Sequence, residues 1–302
     1  MSTVESHMTD VELSTTVRQG LRGLLARMPW LTRICASWVV VIIAAAIFAD
    51  LIPGLPDPDY QGFLWGNDKI LEPPSWDHWL GTDGISRDIL ARVIYGARVS
   101  LIFATVCVAS GLLFGGVIGS TAGFMRGKTD GAIGFGIDLS LAMPPLVIYI
   151  FFITMIGKFG LFYMTLVVSL LVIAPYARVA RANSLAVSQR EFVTAAQSIG
   201  TNKSRILLRE ILPNVYPTLF AYALVVVAAL IILEATLSFL GIGIPIPTAS
   251  WGNAIAESRR DLAINPWPCI FPAVTLVLTV FSINNVADWV RKHMAVRTSA
   301  LS

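Results

Sequence analysis

Long apolar runs separated by polar stretches dominate the sequence. A bilayer core about 30 Å thick needs about 20 apolar residues in helix. Six runs meet or approach that length, over residues 34–51, 99–123, 132–156, 160–180, 218–240 and 271–290. The pattern predicts an all-α membrane protein with six transmembrane helices. Met143-Pro144-Pro145 lies within the third run and predicts a kink or break there. Between the fourth and fifth runs, residues 181–212 are too polar for lipid and read as helical. Before the first run, Val17, Leu21, Leu24, Leu25 and Met28 share one helical face, with Arg18, Arg22 and Arg27 among them. That predicts an interfacial helix on the cytoplasmic membrane surface; a helix packing on a partner protein is the alternative. Residues 1–14 read as disordered. The expected organisation is an N-terminal cytoplasmic segment (1–33), a first transmembrane helix (34–51), an extracytoplasmic loop (52–98), a five-helix core (99–290) and a cytoplasmic tail (291–302).

Composition agrees with this pattern. Of 302 residues, 55% are hydrophobic and 14% charged, against about 25% charged in soluble domains. A net charge of +3 is too small to suggest nucleic-acid binding. Placement of the charges says more than their sum. With the N-terminus inside, the inner segments hold 15 Lys and Arg and the outer segments 7. Both termini are therefore expected in the cytoplasm. The first outer loop carries Pro53, Pro56, Pro58, Pro73 and Pro74, which limit regular structure. Its Trp65, Trp76 and Trp79 suit a membrane–water boundary. Cys35, Cys107 and Cys269 form no CxxC or Cys/His pattern and read as small buried hydrophobes. The first 30 residues lack a continuous apolar run, so no cleavable signal peptide is expected.

Candidate chemistry is sparse. Gly127-Lys128-Thr129 resembles the end of a phosphate-binding loop, but Ala122 stands where that loop needs its first Gly. Asp138 and Glu234 fall in or near spans, and a mid-membrane carboxylate costs about 2.5–3.5 kcal/mol. Each needs a partner or a water-filled route. Glu234, Asp138 and the bend at Pro144 and Pro145 are the candidates for a translocation path or gate; a hydrogen bond between helices is the plainer reading, favoured for Asp138 and Asp288. The 181–212 stretch is more distinctive. Glu191 through Ser198 reads as a short helix with a low-profile face at Ala195 and Ala196. Gly200 suits a helix stop with positive φ, Asn202 or Ser204 could cap a second helix, and Pro213 precedes the next span. A rigid, small-faced helix held toward the cytoplasm suits docking by another protein; a plain connector is the alternative.

This stretch resembles the EAA loop of bacterial ABC importer permeases. Ala195, Ala196, Gly200, Leu212 and Pro213 match its pattern, while Thr194 takes the place of its glutamate and Glu191 lies one turn earlier. Further segments resemble the peptide/nickel branch of that family: His78-Trp79-Leu80-Gly81-Thr82-Asp83 with Arg87-Asp88, and Tyr95-Gly96-Ala97-Arg98-Val99-Ser100-Leu101. Ser86 replaces the usual Gly before Arg-Asp. Leu233-Glu234-Ala235, Leu237 through Gly241, Ser250-Trp251-Gly252 and Pro266-Trp267 match as well, and the long first outer loop resembles the branch's C-type subunit. The resemblance implies a type I ABC importer permease fold. It implies a coupling helix, with Glu191, Thr194, Ala195, Ala196, Gly200, Leu212 and Pro213 at the contact with an ATPase. The implied partners are a homologous permease in a heterodimer, two ABC ATPase subunits or domains, an extracytoplasmic substrate-binding protein and the lipid bilayer. ATP and Mg would be used by the ATPases, with no cofactor or metal on this chain. The implied cargo is di- or oligopeptides, with nickel or another small solute as the alternative. A stand-alone secondary transporter is the rival from another class. No clustered nucleophile, base or metal set suggests an enzyme.

Overall fold

The computed structural model describes residues 28–60, 69–157 and 160–299. The expected interfacial helix around Val17 to Leu25, the expected disorder of residues 1–14 and the boundary role of Trp65 lie outside them. The described residues are nearly all helical, with one isolated bridge between Thr82 and Asp88 and no strand. Among the described residues, nine helices follow in chain order: α1 Trp30–Ile47, α2 Ile89–Met125, α3 Gly127–Ala142, α4 Pro145–Ile156, α5 Leu161–Val187, α6 Glu191–Ser198, α7 Lys203–Phe239, α8 Trp251–Ser258 and α9 Trp267–Ser299. Five of these, α1, α2, α5, α7 and α9, are long and apolar enough to cross a membrane. The α3–α4 pair qualifies as a sixth span only if counted together, because its axes bend by 87°.

The departures from the expected spans have local causes. α1 starts at Trp30 because Pro29 fixes the extended residue ahead of it, and it ends before a 3₁₀ turn at Ala49–Leu51. α2 starts at Ile89, well before the apolar run, because the Asp88 carboxylate accepts from the Ala91 N–H at 2.8 Å and caps it. The third run is not one span. Met143 and Pro144 are extended, and Pro145 opens a new helix. Pro213 does not separate the polar 181–212 stretch from the fifth expected span. A π turn over Leu207–Ile211 precedes it, and α7 runs on as one rod.

Packing centres on α2, which lies against α1, α5 and α7. α9 closes the bundle against α1, α7 and α8. The α2–α5 seam is tight because α2 carries Gly111, Gly115, Gly119 and Gly123 at every fourth position. A Cβ on Gly119 would sit 2.1 Å from the Ala177 carbonyl oxygen, and one on Gly123 2.5 Å from that of Arg181. Helices that approach this closely gain dispersion contact where lipid offers no hydrophobic drive.

The described part of the segment between α1 and α2 is folded onto the helices by charge. Arg87, buried, donates to Asp83 at 2.6 Å and pairs with Glu257 of α8 at 3.0 Å. Arg92 reaches the same Glu257 oxygen at 2.7 Å. Asp83 also accepts from the N–H groups of Ile85 and Arg87, which ties a turn in which Ser86 has φ 62°. Arg98 and Tyr95 donate to Asp50 just beyond α1, and these bonds, Arg98's first, hold its carboxyl below the usual range.

Candidate functional site

α5 ends at Val187, and a turn over residues 188–190 leads into α6. Eight residues make a marginal helix alone, so α6 depends on its anchors. Val193 is its one buried side chain, and Ala196 packs half-buried on the core beside it. Glu191 in the first turn suits the positive end of the helix dipole. The stop is a Schellman motif: the Thr201 N–H donates to the Ala196 carbonyl at 3.1 Å and the Gly200 N–H to that of Gln197 at 3.0 Å. Gly200 has φ 78°, which a side chain adopts only with strain. The Asn202 side chain accepts from the Ser204 N–H at 3.1 Å and caps α7.

The remainder of α6 faces outward. Glu191, Thr194, Ala195, Gln197 and Ser198 are exposed, and so are two large apolar side chains, Phe192 at 39% and Ile199 at 83%. Leu208 at the foot of α7 is exposed beyond them, and Arg190, Lys203, Arg205 and Arg209 are exposed in the same stretch of chain. Apolar side chains among charged ones are the composition of a protein contact. A low helix face at Ala195 lets a partner's backbone come close.

The sequence candidates fall into four places. Glu191, Thr194, Ala195, Ala196 and Gly200 share α6 and its stop. Leu212 and Pro213 lie at the foot of α7, where Leu212 is buried in the core and Pro213 is exposed. Leu212 thus helps to anchor the foot of the rod. Glu234 is fully buried: Ser100 donates to one carboxylate oxygen at 2.6 Å, Ser238 to the other at 2.9 Å, and Ser250 joins them. That carboxylate ties α2, α7 and the start of α8 together. Asp138 of α3 pairs with Arg178 of α5 at 2.6 Å. Pro144 and Pro145 form the α3–α4 bend. No hydrogen bond or ion pair among the described residues joins Glu234 to Asp138.

Two arginines escaped the sequence reading. Arg178 and Arg181 lie one turn apart on α5 and meet Asp138 and Asp130 of α3. Their signal was present: two basic residues at i and i+3 at the end of one apolar run, with Asp130 and Asp138 at and within the start of another.

A family model described as binding-protein-dependent transport system inner membrane component matches residues 111–299. The oligopeptide transport system permease protein OppC of Bacillus subtilis (strain 168) is 34% identical over 256 residues, covering 84% of this chain and 81% of that protein. The glutathione transport system permease protein GsiD of Escherichia coli O6:K15:H31 is 33% identical over 256 residues, covering 85% and 83%.

Proposed function

The chain belongs to the binding-protein-dependent transport system inner membrane components, and from that premise we infer that it is a permease subunit of an ABC importer for peptides. It is a multi-pass membrane protein and not itself an enzyme. The observation that carries the mechanism is α6, a short capped helix with one buried anchor and its remaining face bare. The two relatives, named for oligopeptide and glutathione transport, support peptides as the cargo class.

In this reading a substrate-binding protein releases peptide at the outer face. This chain and a homologous permease subunit flank the path as a heterodimer. Two ATPase subunits bind ATP and Mg, close, and push on one coupling helix each. Here that helix is α6, with Glu191, Thr194, Ala195, Ala196 and Gly200 at the contact. Thr194 offers a hydroxyl where a glutamate would offer charge, so Phe192 and Ile199 carry more of the contact. The basic residues around the loop support a plasma-membrane orientation with α6 and both termini in the bacterial cytoplasm.

Ala195→Trp tests this directly. Ala195 is exposed, so the variant should insert and fold as the parent does. In membranes carrying the whole complex, ATP-driven peptide uptake should fall at least about tenfold, the equivalent of about 1.4 kcal/mol of lost contact, and the ATPase should co-purify poorly. Parental uptake with parental ATPase recovery would sink the assignment.

A further inference from the structure

Two ion pairs join α3 to α5, and they differ in kind. Asp130 takes a two-pronged contact from Arg181, at 2.6 and 2.9 Å, with side chains only 21% and 32% exposed. Gly134 of α3 makes room for that guanidinium, which would lie 3.3 Å from a Cβ there. This pair is built into the seam. Asp138 and Arg178 share a single contact of 2.6 Å, with side chains 65% and 57% exposed. Neither makes another hydrogen bond to the described residues, so one carboxylate oxygen and most guanidinium N–H groups are unused.

The seam does not need the second pair, because the first already clamps it. An exposed pair returns little stability, and charge facing lipid is costly. Arg178 nevertheless lies in α5, which is long and apolar enough to cross a membrane, and Asp138 in α3, which qualifies together with α4. Their free valences therefore face water or protein. A single-pronged pair can also be opened from either side, unlike its neighbour.

Resting on the peptide-importer reading, we propose that Asp138 and Arg178 form a charged station on the aqueous path, where a peptide in transit exchanges its terminal ammonium and carboxylate for the pair's own contact. The two signs match the two ends of a zwitterionic peptide. The ammonium takes the free oxygen of Asp138, and the carboxylate takes the fork of Arg178. The pair reforms once the peptide leaves, so neither charge is stranded between cycles.

The test uses the complete complex in proteoliposomes with its binding protein and an unmodified tripeptide. Asp138→Asn and Arg178→Gln should each cut the initial uptake rate about tenfold, with subunit recovery and basal ATP hydrolysis kept. The exchange variant Asp138→Arg/Arg178→Asp should stay impaired. Full recovery by the exchange would make the pair a helix clamp and overturn the proposal, as would parental uptake in both single variants. Loss of the second permease subunit from either single variant would assign the pair to a subunit contact and overturn it too. Leu139→Cys, which leaves the pair intact, should react with a membrane-impermeant methanethiosulfonate and be slowed severalfold by transported tripeptide; no reaction would exclude an aqueous path here. A parental complex that imports no tripeptide would remove the peptide reading itself, a result distinct from failure of the variants.

Discussion

Among the buried charged side chains of the described residues, Glu234 and Arg87 each tie several segments together. Glu234 accepts from Ser100 and Ser238 on two different helices. Replacing it with Leu strands those hydroxyls, at about 1–3 kcal/mol each. Glu234→Leu should therefore lower the thermal unfolding midpoint of the purified complex, and Glu234→Gln, which keeps one acceptor, should lower it much less. Equal midpoints for both variants would mean that the serines find other acceptors. Arg87 joins Asp83 to Glu257 in a buried setting. Removing one member of such a network costs about 3–5 kcal/mol, because opposing charges are left uncompensated. Arg87→Met should speed proteolysis of residues 69–88 while sparing the helices.

Helices were legible in the sequence where their cause is local, and less so where it is a neighbour. The six apolar runs, the Gly200 stop and the Asn202 cap follow from periodicity and turn chemistry. The start of α2 was hidden because Asp88 extends it through the polar residues Arg92 and Arg98, which a hydropathy window rejects. Pro213 suggested a boundary, since the π turn that accommodates it leaves no compositional trace. The four glycines of α2 repeat every fourth residue in plain view, yet their meaning depends on the α5 backbone that meets them. Gly119→Val should prevent close packing of α2 on α5 and abolish recovery of the folded complex. Normal yield and an unchanged melting profile would mean that the seam can part by an ångström or more without cost. The site divides the same way: α6 was readable as a unit, whereas the pairing of Asp138 with Arg178 needed the fold.

For the whole molecule, orientation is the property that function requires. If α6 meets an ATPase, an alkaline phosphatase reporter fused after Ser302 should be inactive and one inserted after Trp76 active; the reverse pattern would put α6 on the wrong side. Between those two sides runs α7, an unbroken helix of 37 residues, about 55 Å long. Its foot adjoins α6, and Glu234 and Ser238 bind its head to α2 and α8. A stiff rod of that length is a lever. Turning it by about 5° about its foot carries the head sideways by about 5 Å, roughly the rise of one helical turn. That swing would reach the network of Arg87, Arg92 and Glu257 through the side chains that bind the head, Glu234 and Ser100 first. The π turn at Leu207–Ile211 is the place where such a lever could yield, and its stiffness there would set how much of each ATP-driven stroke reaches the far side.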